Sequence, residues 1–196
     1  MKKVLFAFLL LFVISKLYSQ ETPYNLPLPA KWGVEKIPFP IQFAPMIPYK
    51  GNEEIRFTPG WGDSTSAEYW SYTFLWFIEG KPNITADTLQ HHISAYFNGL
   101  YTTNQKPTAA APPPGFTTVH FKKVNTAAND NESYEGNIAT LNFLTGKPIK
   151  FNVRVHIRNF SAINHSGILF EISPQDYQHP VWAKLDSVVN GFLLTN

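Results

Sequence analysis

Cysteine is absent from the 196 residues. That absence excludes a disulfide framework, a thiolate nucleophile, a CxxC zinc site, a haem-attachment motif and a bacterial lipobox. Charge is scarce as well, with Asp, Glu, Lys and Arg together making up 15% of the chain. Phosphate-cradling GxGxxG and GxxxxGK[ST] spacings are missing, as are a GxSxG elbow, an HExxH helix and an EF-hand calcium loop. No cofactor is therefore expected. Lys122-Lys123 is the only adjacent basic pair after residue 20, so the clustered cations that phosphate contacts demand are lacking and nucleic acid is not an expected partner.

What is present begins with a targeting pattern. Lys2 and Lys3 precede an apolar run from Val4 to Ile14, followed by Ser15, Lys16, Leu17, Tyr18, Ser19 and Gln20. A short basic segment before an apolar stretch below spanning length reads as a signal peptide, with cleavage after Ser19 or Gln20. Removing residues 1–20 leaves 13 basic and 14 acidic side chains, so the formal +2 becomes −1. No second apolar run is long enough to span a membrane. An exported protein is expected, located in the periplasm, at the cell surface or in the medium.

Residues 21–51 carry seven prolines interleaved with Trp32, Ile37, Phe39, Ile41, Phe43, Met46 and Ile47. Proline fixes φ and lacks a donor, which disfavours a helix or central strand. Such apolar residues are costly to leave in water. The segment reads as an extended Pro-rich arm packed on the single domain of residues 52–196.

Within that domain, residues 69–79 give the strongest strand signal. Trp70, Tyr72, Phe74, Trp76 and Ile78 form one row, which suits either a packed core face or sugar stacking. Thr85 can cap a helix over residues 86–98, with Leu89, Ile93, Tyr96 and Phe97 on one face and Gly99 as its stop. His91 and His92 are adjacent, cannot serve as an i,i+4 metal pair, and read as surface or boundary residues. Strands follow at 117–124, 133–143, 151–160 and 167–172, the second with Ala139, Leu141 and Phe143 as its main apolar side. A helix over 181–190 then presents Trp182, Leu185, Val188, Val189 and, just beyond, Phe192. The fold class is α+β: an antiparallel sheet of five to seven strands packed against two main helices.

Arg154, His156 and Arg158 alternate along the cleanest strand, opposite Phe151, Val153, Val155 and Ile157. Alternate residues project on one face roughly 6 to 7 Å apart, close enough to hold a carboxylate, phosphate or sulfated sugar. The stripe is thus the candidate ligand-binding site, for a small anionic ligand. Its alternatives are a solvated sheet face or pairing with acids from a crossing helix. Ser166 beside His165, with Asp63 or Asp176, is a weak triad candidate. Glu68 and Glu79 would lie at opposite ends and faces of one strand, too far apart for acid/base work on one bond.

The strings EEIRFTPGW, EYWSYTFLWFIEG and EISPQDYQHPVWAKL resemble uncharacterised exported proteins of Bacteroidetes-type bacteria, a likeness that would cover most of the mature chain and implies no activity. The element order is loosely similar to PsbP-type photosystem-assembly proteins and a Ran-binding nuclear-transport factor, an analogy of fold alone. The leading expectation is an exported, non-catalytic binding or accessory protein. The alternatives are a secreted hydrolase acting on sugar or ester, and a structural component of an envelope assembly with an envelope protein as partner.

Overall fold

The computed structural model describes residues 22–105 and 111–195; residues 1–20, read from the sequence as a signal peptide, lie outside them. The chain follows the order β1(Tyr24–Asn25), β2(Gly33–Pro38), β3(Gly51–Phe57), β4(Tyr72–Glu79), α1(Ala86–Thr103), β5(Thr118–Val124), β6(Glu132–Leu141), β7(Pro148–Phe160), β8(His165–Ser173), α2(Val181–Asn190) and β9(Leu193–Leu194). The class is α+β. Seven strands form one antiparallel sheet in the order β2-β3-β4-β8-β7-β6-β5, and β1 pairs with β9 in a two-stranded sheet.

Strand β4 is buried on both faces. Its even residues Tyr72, Phe74, Trp76 and Ile78 pack under α1, with Leu89, Ile93, Tyr96 and Phe97 of the helix in the same core. Its odd residues Leu75 and Phe77 join Val188, Val189 and Phe192 beside α2. Each helix therefore covers one sheet face, and the aromatic row is core.

Helix α1 starts where Thr85 accepts a bond from the Thr88 backbone N–H, satisfying an otherwise free donor. Its end departs from the expected stop at Gly99, because the helix continues to Thr103. A Cβ on Gly99 would lie 1.7 Å from the Phe43 carbonyl oxygen. The glycine serves the close approach of the N-terminal segment to the helix and does not end it.

That segment contributes Ile41, Ala44 and Ile47 to the core under α1, and β2 to the sheet. β2 lies at the sheet's edge, where a terminal proline costs no ladder bond. On the opposite face, buried Arg56 donates to the backbone oxygens of Leu26 (2.8 Å) and Pro27 (2.9 Å). These bonds hold the chain start against β3.

Two further expectations are corrected. In β6 the core side is Tyr134 and Ile138, at 4% and 0% exposure, and not Ala139 and Leu141. Register decides this, since Tyr134 opposes Val155 and Ile138 opposes Phe151, which already face α1. His92 is buried against Tyr49, not at the surface, and its burial lowers the imidazole pKa.

Candidate functional site

The Arg154, His156 and Arg158 side chains lie on the α2 side of β7, as the alternation implies, but the face is not wet. Arg158 is 4% exposed. The loop before β6 brings Asp130 beneath the stripe, with a fully buried side chain. Asp130 accepts from His156 Nδ1 at 2.7 Å, Ser133 Oγ at 2.7 Å and Arg158 Nε at 2.9 Å. Arg158 also donates to the Val189 carbonyl oxygen at 3.1 Å, tying β7 to the end of α2.

Arg154 donates to Asp186 of α2 at 3.1 Å, and its guanidinium lies about 5 Å from the ring centres of both Tyr177 and Trp182. Across the sheet the register aligns Lys122, Glu135, Arg154 and Glu171 on successive strands. The signs alternate along that row, so Arg154 sits between two carboxylates. Burial would lower the His156 pKa, but its bonds with Asp130 and the nearby Glu171 outweigh that and raise it to about 9. The same partners hold Asp130 low against its own burial. Burial pushes Glu171 up to about 7 despite His156 and Arg154 nearby.

The three sequence-singled residues are thus brought together, and the protein's own carboxylates stand where an anion would bind. The Ser166 triad is not assembled: its hydroxyl bonds to the Gly80 oxygen and to Asn159, while Asp63 caps Thr65 in a distant turn. Glu68 lies before β4 and receives bonds from Lys184 and the Gly60 N–H.

The other sheet face holds a different site. A cavity of about 110 Å³ lies between α1 and the β2–β4 end of the sheet, and seven of its eleven lining residues are aromatic. Tyr96 and Leu100 of α1 form one wall, Ile55, Phe57 and Tyr72 the sheet floor, and Trp61 and Trp70 one end. Among the described residues Glu35 of β2 is its single charged lining residue.

Three features mark this cavity and its surroundings. Among the described residues the indole nitrogens of Trp61 and Trp70 are buried without a hydrogen-bond partner, as is that of Trp76 in the adjoining core, and an unmet buried donor costs on the order of 1–3 kcal/mol. Trp70 itself adopts φ 53°, a left-handed conformation costing a bulky residue about 1–2 kcal/mol. Its N–H bond to the Trp61 carbonyl oxygen, at 2.9 Å, helps hold it there.

The third feature is Glu53, fully buried on the same sheet face. Tyr96 donates to its Oε1 at 2.8 Å, while Oε2 has no partner. Burial raises its pKa to about 8, the Tyr96 bond offsetting only part of that. Glu35 opposes Ile55, and Glu53 opposes Ile37, so the two carboxyl groups are diagonal neighbours roughly 7–8 Å apart at the backbone.

Sequence reasoning missed this site. Its aromatic row was visible, but the cavity needs Trp61, Phe43 and Glu35 from segments that only the fold brings together. The one local signal was two carboxylates, Glu53 and Glu54, opening a strand pattern where one must face inward. A larger concavity of roughly 300 Å³ is lined by His120, Lys122, Glu135, Gly136, Asn137, Asn152 and Tyr177.

Among the described residues no helix is long and apolar enough to cross a membrane. The chain matches no protein-family model and no curated protein.

Proposed function

We propose that the protein is an exported, non-catalytic binding domain that takes a small, largely apolar ligand into the aromatic cavity under α1. One observation carries this reading: two indole donors, of Trp61 and Trp70, are left unpaired on the wall of a largely aromatic cavity. Pockets of mostly apolar lining with a few unspent polar groups are what small-ligand sites look like. The basic and apolar N-terminal segment and the resemblance to exported proteins support export.

The binding reading is favoured over a hydrolase. Ser166 has neither imidazole nor carboxylate beside it, and the carboxyl group of Glu53 is sealed at 0% exposure, out of a substrate's reach. It is also favoured over an anion-binding role for Arg154, His156 and Arg158, whose charges the protein's own acids already meet.

The test is a thermal-shift screen of small aromatic and branched aliphatic compounds against the mature protein and a Leu100→Trp variant, which fills the cavity from α1. A ligand of this site raises the melting temperature of the wild type by several degrees at a large excess over its Kd, and not that of the variant. If every stabilising compound acts equally on both proteins, the cavity is not the site.

A further inference from the structure

We infer that the ligand presents a positively charged alkylammonium group, quaternary or protonated, to the aromatic cavity, and carries beside it an acceptor such as a hydroxyl for the Trp61 and Trp70 indole donors. This deepens the proposed function and rests on it. The walls are aromatic: Phe57, Trp61, Trp70, Tyr72 and Tyr96 border one space. Aromatic faces that close around a small space attract cations through their quadrupoles, and aromatic cages are a recurring solution for quaternary ammonium groups.

Charge points the same way. Among the described residues Glu35 lines the cavity and no cationic residue does. The neighbouring cation, Lys36, turns to the opposite face and pairs with Glu54 at 3.1 Å. Glu35 is exposed and can meet an entering cation at the rim.

Size fits as well. A dry cavity of about 150 Å³ holds benzene, so 110 Å³ suits a compact group such as trimethylammonium. A cation is also the complement of what the opposite face offers, since the arginines there are already matched by Asp130, Glu171 and Asp186.

The experiment compares choline with its neutral carbon isostere, 3,3-dimethyl-1-butanol, by calorimetric titration of the mature protein and its Glu35→Gln variant. The two probes share shape and differ in charge. Choline binding at least about tenfold tighter than the alcohol, with that preference falling severalfold in Glu35→Gln, supports the inference. Glu35 lies exposed on an edge strand, so the variant keeps the fold; its circular dichroism spectrum and affinity for the alcohol check this. Equal binding of the two probes overturns the cation inference and leaves the cavity as a site for neutral ligands. If neither probe binds, the cation inference fails, and the thermal-shift screen then decides separately whether the cavity takes any ligand.

Discussion

Tyr96 on α1 donates its phenolic hydrogen to Glu53 on β3 across 2.8 Å, joining helix and sheet at the inner edge of the aromatic cavity. Phe74 stacks on the Tyr96 ring with planes 4° apart, and the Trp76 indole and the Glu35 carboxylate also act on the Glu53 carboxyl, the first favouring its charge and the second opposing it. The group is shut away from water. Such a group is cheapest neutral, consistent with its pKa of about 8.

Glu53 should therefore make stability fall as pH rises. Its folded pKa lies above the unfolded value, so the unfolded chain ionises first, and stability present below pH ~4.5 is lost progressively towards pH 8. Glu53→Gln keeps an acceptor for Tyr96 and removes the titration. Urea denaturation should show the variant gaining on the wild type by a few kcal/mol between about pH 5 and 8. A difference that stays constant with pH would contradict the neutral buried carboxyl.

Gly99→Ala separates two roles for that glycine. Helix propensity alone would stabilise the variant by about 1 kcal/mol. The Cβ would instead meet the Phe43 carbonyl oxygen at 1.7 Å, forcing the N-terminal segment away from α1. We expect net destabilisation of about 1–3 kcal/mol in urea. A stabilised variant would show that this packing is dispensable.

Asp130→Asn should be among the most damaging single changes, at about 3–5 kcal/mol, because it leaves the buried cations His156 and Arg158 without their carboxylate. The His156 part carries a pH signature. A raised imidazole pKa gives a contribution complete below pH ~6.5 and lost as pH climbs through about 9. Titrating charges that face this ring, Glu171 and Asp130, are both acids, so the sign stands. Denaturation at pH 6 and pH 10 should find the cost of the variant smaller at the higher pH; an unchanged cost would remove His156 from the network.

Much of the fold was legible because its signals are local. The α1 face of Leu89, Ile93, Tyr96 and Phe97 and the alternation of β7 need only periodicity, and Thr85 marks the start of α1. Gly99 misled because a glycine used for close packing looks the same in sequence as one that ends a helix. The Arg154, His156 and Arg158 stripe was found by the same alternation, yet its environment was hidden. Asp130 arrives from a loop, Glu171 from β8 and Asp186 from α2, and the sequence cannot say that three acids meet three cations. The cavity was less legible still, since Glu35 and Trp61 reach it only through the β2–β3 pairing and the turn ahead of β4.

The most direct measurement of the central claim uses the five tryptophans as reporters. Indole N–H resonances of ¹⁵N-labelled mature protein are followed as choline and, separately, its neutral isostere are added. Trp61 and Trp70 line the cavity, whereas Trp32 and Trp182 pack together on the α2 side. The expected result is movement of the Trp61 and Trp70 signals, with those of Trp32 and Trp182 fixed. Movement confined to Trp32 and Trp182 would contradict a ligand site under α1, and no movement with choline would contradict the alkylammonium ligand.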